Sequence, residues 1–513
     1  VTVEQFGLGS FQSLLDGTHG LAGLVNVYAR TLADGGDDSL SLALGLMITN
    51  TTNNVVARVG EGAQIQTDDV LPSGNQAVHV NANLDTFSVG AGQMSAINLS
   101  VPGFAEAFNR AGKRNDGGVQ DFLKDIADPL GVSGKNAAGG TMLLTLGDHT
   151  TVAEIADSAE IGRDAWTDNA IEVTAISDIY DLALVQTGTA SSQFGFSAAI
   201  AASNIKTDTR ASVGDGASLS GGDLTITVKD ILDRVNILGA FLKGKQIGMG
   251  TSIGVNVIDQ NVAAFIGRSN PQASDRKGSN VDLLSIDVDA TADGDVLSWV
   301  ISGGLQGVGS PAAKADAKQL GPVSLNVPVA INDVASASLA YVDSIDGDAA
   351  SVSVNATSDI EVDAVVIGAS ISVQAGGGAN AGKLNLAGAG AVGVNTVVAN
   401  VATGLANSDL NTNELTVQAN DNSVVSVDAG GVAITPSLSS QTRAALSFGV
   451  SVAINDVSGA VSASLSGSEL FSTDGDYLIA AESNSKTSAL AIAGAASATT
   501  GNGSFRGAGA ATQ

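Results

Sequence analysis

Apolar and polar residues alternate along much of this chain, and the alternation predicts β-strands. In residues 446–454 every second residue is large and apolar, and the residues between them are small. Side chains at alternate positions of a strand point to opposite faces, so the large residues would share one face. The run at Lys229–Lys245 also fits a helical spacing, but it stands where other copies of the pattern have strands, and we interpret it as a strand.

The alternating runs belong to a unit that recurs about every sixty residues. Each copy has a run, an Asn, a short polar stretch, a second run and a turn rich in Gly or acidic residues. The Asn positions are Asn50, Asn204, Asn256, Asn332, Asn395 and Asn455, with Gly147 in a diverged copy. Because Asn bonds to neighbouring backbone and tolerates left-handed conformations, we predict that these residues form corners between strands.

Recurring strands with short polar corners favour an all-β parallel β-solenoid, in which one unit stacks on the next. With coils of roughly 20–30 residues the chain would hold about 15–25 coils, and the rod would be about 70–120 Å long. The alternative is a string of antiparallel sandwiches, but a sixty-residue unit is short for a domain of about 100 residues.

Four segments follow from the pattern. Residues 1–41 lead into the repeats, 42–93 form the first clear repeat, 94–141 interrupt the rhythm and 142–513 continue it. Within 94–141, the stretches 103–115 and 119–131 have the apolar spacing of short helices, so a helical insertion is predicted there. Val1 is not an initiator, and we expect the sequence to be a piece of a longer protein.

Composition limits the classes of function. The 513 residues carry 52 Asp plus Glu against 23 Lys plus Arg, for a formal charge of −29. Such a charge repels nucleic acid and anionic lipid. The absence of Cys excludes a disulfide framework and a Cys-based zinc site. The uncharged stretch from Leu384 to Ser408 is long enough to cross a bilayer, but its alternation indicates a strand.

Small residues dominate one face of several strands, most of all in 387–395 and 491–504. Gly, Ala and Ser stand there in place of the charged residues that usually solvate a strand. Either small residues are preferred beside tight corners, or these flat faces lie against another element or chain.

Candidate chemistry is sparse. The three His residues, His19, His79 and His149, share no motif, and no common catalytic signature is present. We predict a protein that is not an enzyme. Carboxylates at Asp287, Asp289, Asp293 and Asp295 leave open a glycosidic active site in a β-helical groove, although solvation of a strand face is the simpler role.

Calcium is the more plausible ligand, since acidic turns bring together the oxygen donors that it prefers. No turn matches an established calcium loop, and Asp and Gly are also ordinary turn residues. The candidate ligands are Asp215, Asp293, Asp295, Asp346, Asp348, Asp474 and Asp476.

The lines 326–344, 447–470 and 212–228 resemble the repeats of large haemagglutinin-like surface exoproteins and adhesins of Gram-negative bacteria. The likeness is one of repeat style and covers most of 42–504. It implies a secreted, cell-surface protein with a β-helical shaft, whose partners are other copies of itself or cell-surface and matrix components. The leading hypothesis is therefore a non-enzymatic extracellular shaft or fibre. A self-assembling filament or sheath subunit and a β-helical polysaccharide-active enzyme are the alternatives.

Overall fold

The computed structural model describes residues 27–29, 40–65, 77–92, 132–162, 170–267, 277–307, 322–374, 384–437, 444–472, 474–499 and 505–512. Across these residues the protein is all-β, with 23 strands. They are β1 (Val27–Ala29), β2 (Leu40–Val59), β3 (Gln64–Ile65), β4 (Val78–Gly92), β5 (Val132–Ile155), β6 (Glu160–Gly162), β7 (Ile171–Val213), β8 (Ser218–Ser220), β9 (Asp223–Gly244), β10 (Ile247–Ile266), β11 (Ser279–Gln306), β12 (Val323–Asn326), β13 (Val329–Asp343), β14 (Ile345–Ser372), β15 (Leu384–Ala406), β16 (Asp409–Asn411), β17 (Glu414–Asp421), β18 (Val424–Ser437), β19 (Ala444–Ser466), β20 (Glu469–Phe471), β21 (Asp476–Ser483), β22 (Lys486–Thr499) and β23 (Phe505–Thr512).

Every strand pairing among the described residues is parallel, and the pairings form three ladders. The first ladder runs β2, β5, β7, β10, β12 with β13, β15, β19 and β23. The second runs β4, β7, β9, β11, β14, β17 with β18, and β21 with β22. The third joins the short strands β3, β6 and β8 to the starts of β11 and β14, then to β16 and β20. Long parallel sheets of this kind are consistent with a β-solenoid.

The distance along the chain between stacked residues corrects the expected coil length. Asn332 lies on Asn395, 63 residues later, and Asn395 lies on Asn455, 60 residues later. Coils of 20–30 residues are therefore wrong for this part of the chain. The short estimate counted each strand as one side of a small coil, whereas strands such as β15 run for 23 residues without a corner.

Corners occur where the first ladder ends, and the residues there differ from those that the sequence suggested. Ser344 (φ 57°) stands between β13 and β14, and Asn407 (φ 52°) stands between β15 and β16. The Asn407 side chain donates a hydrogen bond to Asp343 Oδ1 at 2.7 Å. A left-handed conformation is tolerated by Asn because its side chain can bond locally.

The apolar core lies between the first two ladders, next to these corners. Branched and small side chains stack coil on coil there, as in the row Val213, Ile266, Val342 and Leu405. All four belong to the same buried cluster, to which β4, β9, β11 and β14 also contribute. Stacks of Val, Ile, Leu and Ala explain how a chain with 4% aromatic residues fills its interior.

Three sequence interpretations can be compared with the strands. Residues 229–244 lie in β9 and 384–406 lie in β15, so both strand interpretations are confirmed. The helical insertion predicted at 94–141 is wrong for its last ten residues, because β5 begins at Val132. The two predicted helices at 103–115 and 119–131 lie outside the described residues. In the described part of the chain no helix has the length and hydropathy needed to span a membrane.

Candidate functional site

A row of buried asparagines runs through the interior along the stacking direction. Asn256, Asn332 and Asn395 are completely buried and stand in register, and Asn455 continues the row half-buried in the last full coil. The amide nitrogen of each donates to Oδ1 of the next, at 2.7, 2.8 and 3.0 Å. We call this row the asparagine ladder.

The strand positions of these residues correct the corner prediction. All six predicted corner asparagines lie inside strands, in β2, β7, β10, β13, β15 and β19. In the two earliest copies the registration also differs by one residue. Thr49 and Ser203, rather than Asn50 and Asn204, occupy the buried position, with Thr145 between them. Asn50 and Asn204 point outward and are exposed.

Polar groups of the facing sheet complete the hydrogen bonding of the ladder. Ser298 donates to Asn332 Oδ1 at 2.8 Å and accepts from the Asn256 amide at 3.0 Å. Asn236 donates to Asn256 Oδ1 at 2.6 Å. Later in the chain, Asn395 donates to the carbonyl of Ser426 at 2.6 Å. The ladder therefore links successive coils and also links the two sheets, which fixes their relative position because buried amides need these partners.

A buried ion pair adjoins the ladder. Arg234 is completely buried in β9, its guanidinium contacts the Asp181 carboxylate, and its Nε donates to Asn256 Oδ1 at 3.2 Å. Burial lowers the pKa of the Arg234 guanidinium, and Asp181 opposes that shift. An arginine in the middle of an apolar strand was the signal for this pair, but the sequence could not show which acid would face it.

Two further titratable groups are enclosed near the ladder. Asp230 is completely buried, and burial raises the pKa of its carboxyl group to about 6, against hydrogen bonds from Thr207, Thr209 and Gln260. Thr209 donates to Asp230 Oδ2 at 2.9 Å. His149 lies under the first coil with its Nδ1 3.0 Å from the Asn53 amide nitrogen. Burial lowers the pKa of its imidazole.

The predicted calcium ligands are spread over the molecule. Asp293 and Asp295 lie within β11, Asp346 and Asp348 within β14, Asp476 begins β21, and Asp474 precedes it. Asp215 lies in a turn, where its two carboxylate oxygens accept from the backbone N–H groups of Lys277 (3.0 Å) and Gly278 (3.2 Å). In the described ranges no three His, Asp or Glu residues converge on a point where a metal ion could sit. Calcium binding stays a prediction.

The acidic groups considered for glycosidic chemistry lie on the outer side of β11. Asp289 accepts from the Asn355 amide at 2.9 Å, and Asp293 pairs with Lys229 at 3.4 Å. Partial burial and the neighbouring Asp289 raise the pKa of the Asp287 carboxyl. These contacts occupy the carboxylates with cross-strand partners, which is the role that solvation and pairing on a sheet face would give them.

Comparisons with known proteins add no identification. Neither a family model, nor a curated protein, nor a solved structure matches this chain. Its function must therefore be argued from the ladders themselves.

Proposed function

We propose that this chain is a non-enzymatic structural segment, a β-solenoid whose coils of about sixty residues form part of an extracellular adhesin shaft or surface fibre. Its role would be mechanical: stacked coils give a stiff body that holds other parts of a longer chain apart. The observation that carries the proposal is the asparagine ladder, in which one side-chain type is repeated in register through four coils.

Stacking in register supports a load-bearing role. In parallel ladders the hydrogen bonds run between coils, so each backbone group of a long strand ties its coil to the next. β15 and β19 are paired over 23 residues. A coil held by so many bonds separates only when a large number of them break together. The amide bonds of the asparagine ladder add a second, internal row of links along the same direction.

The dimensions indicate a flat body. The first ladder stacks eight strands, which at about 4.8 Å per step extends about 34 Å. A strand of 23 residues is about 75 Å long at 3.3 Å per residue. The described stack is thus broader along its strands than along its axis. A shaft would require further coils, from a longer chain or from other copies.

Surface charge and composition support an extracellular location. The charge of −29 keeps an extended body soluble and disfavours nucleic acid as a partner. The chain has no Cys and needs no oxidative folding after secretion. Together with the likeness to bacterial exoprotein repeats, these features favour the cell surface, with cell-surface or matrix components or further copies as partners.

A filament or sheath subunit is the second candidate, favoured by the open edge of the last coil. Among the described strands, β21 and β22 each pair on one side only, with β17 and β18. Leu478, Leu490 and Ile492 are at least half exposed there. An unpaired edge is a template for strand addition, so further coils would join at this end.

Negative-stain electron microscopy of the purified chain over a concentration series tests the proposal, in calcium and in chelator. The shaft segment predicts flat particles about 75 Å by 34 Å at every concentration. Growth along the 34 Å direction would favour the filament, and a difference between calcium and chelator would reveal metal-dependent stacking. Compact globules would refute the solenoid, and release of reducing sugars from polysaccharide would refute the non-enzymatic role.

A further inference from the structure

The outer side of the first ladder carries a large uncharged surface. It consists of the outward-pointing residues in seven stretches that stand in register, namely 40–48, 136–144, 194–202, 247–255, 323–331, 386–394 and 446–454. We call this surface the apolar face. Apart from Asn136 and Thr251, all of its residues are apolar or Gly.

Side-chain polarity is inverted at the apolar face. Within β10, for example, Met249, Ile253 and Val255 point outward, whereas the inward positions between 248 and 254 hold only Gly and Ser. Exposed fractions reach 41% for Met249, 45% for Val327 and 44% for Phe448. Water-exposed sheets normally present polar residues, so this arrangement is stable only if the large residues are covered.

The remainder of the same sheet surface is polar. Immediately beyond the apolar face, the outward positions of the same strands include Arg58, Lys206, Asp208, Asp259 and Asp456. The boundary falls at the asparagine ladder and is sharp. The apolar face is thus a bounded patch and not a general property of the sheet.

Its area suits a protein interface. Seven strands at about 4.8 Å and nine residues at about 3.3 Å give a patch of about 900 Å². The largest apolar patch of a typical monomer is about 300–600 Å². A stable interface buries about 800 Å² on each partner. One partner with a flat surface of the same size would cover the apolar face completely.

We infer that the partner is a second copy of this chain, and that two copies pack their apolar faces together. The charge of −29 repels another copy over the rest of the surface, whereas the apolar face carries no charge. Flat sheets pack face to face about 10 Å apart, as in β-sandwiches. Two copies related by a twofold axis would bury the same patch on both.

The relief of the apolar face is complementary to itself. A notch of about 480 Å³ opens where Gly388 and Gly390 lack side chains, and it is bounded by Leu325, Val327 and Phe448. The Phe448 ring leans over Gly388, where a Cβ atom would collide with it. The same surface offers projecting side chains of the right size to fill such a notch. In an isologous pair each copy would both supply and receive one.

This inference rests on the proposed structural role, and it is tested by sedimentation velocity of the whole chain over a concentration series. Ile331→Lys places a charge within the apolar face. The matched control is Leu339→Lys, in the same strand, with the same 38% exposure, but beyond the boundary. We expect a dimer for the wild type and Leu339→Lys, and at least a 100-fold higher dimer dissociation constant for Ile331→Lys, because a buried unpaired charge is strongly disfavoured.

Single-cysteine variants provide an independent measurement, since the chain has no Cys of its own. Ile331→Cys should give a cross-linked dimer with a short bifunctional maleimide, and Leu339→Cys should not. A monomeric wild type, or equal behaviour of the two lysine variants, would overturn the inference. So would co-flotation of the wild type, but not of Ile331→Lys, with phosphatidylcholine vesicles, which would assign the face to lipid. Flat monomeric particles in the microscope would leave the structural role intact while removing the pairing; globular particles would remove both.

Discussion

Replacement of Asn332 by leucine tests whether the asparagine ladder stabilises the stack. Leucine has nearly the volume of asparagine, so Asn332→Leu removes hydrogen bonds without opening a large cavity. Asn332 accepts from the Asn256 amide (2.7 Å) and from Ser298 (2.8 Å), and it donates to Asn395 (2.8 Å). All of these partners would lose one bond at a position shielded from water.

The cost follows from the partners that remain. The Asn256 amide keeps its bond to Ser298 at 3.0 Å, whereas Asn395 Oδ1 loses the donor that Asn332 supplies. A buried polar group without a partner costs about 1–3 kcal/mol. With one group fully deprived and two partly deprived, we expect the free energy of opening this region to fall by about 2–5 kcal/mol.

Native-state hydrogen exchange measured by mass spectrometry is the suitable assay, because a stacked array need not unfold in one step. Peptides from β10, β13 and β15 should exchange about 30- to 3,000-fold faster in Asn332→Leu, since each 1.4 kcal/mol is a factor of ten. The control is Asn204→Leu, which changes an exposed residue of the same sequence motif and should shift exchange by less than about threefold. If both variants exchange alike, or if Asn332→Leu is as protected as the wild type, the ladder does not hold the coils.

Two further predictions concern the buried charges. Arg234→Met leaves the Asp181 carboxylate buried without its cation and should lower stability by about 3–5 kcal/mol in urea denaturation; adding Asp181→Leu should recover most of it, and no recovery would contradict the pairing. Asp230 has a folded pKa of about 6, above its ordinary 3.8, so the folded state binds the proton more tightly. Its contribution is present below about pH 4 and is lost as the pH rises through 6, by about 3 kcal/mol. Asp230→Asn should therefore flatten this decline in urea midpoints measured from pH 4 to 7, and an unchanged slope would place the titration elsewhere.

The asparagine ladder and the apolar face meet at one line across the first ladder. On one side of that line the large side chains point inward and form the stacked core; on the other side they point outward. Each strand therefore changes which of its faces is apolar partway along its length. Because the ladder positions are polar and buried, a shift of one residue in pairing would expose the amides and break every bond along the row, so the ladder fixes the register.

Sequence periodicity was sufficient for the strands, since a period of two is a local property that needs no knowledge of neighbours. It correctly indicated strands at 229–244 and 384–406, and the recurring Asn marked positions that do stack. The role of that Asn was wrong. A polar residue between two apolar runs has the same local signature whether the chain turns there or continues with the side chain buried.

Only the tertiary structure decided the coil length, the direction of each face and the partners of the buried groups. Thr49 and Ser203 occupy the ladder position in place of their neighbours Asn50 and Asn204 because stacking on the adjacent coil sets the register. Arg234 meets Asp181 across 53 residues of sequence for the same reason. Strand formation is decided within a few residues, whereas register and facing depend on contacts between residues that are far apart along the chain, and no local pattern contains them.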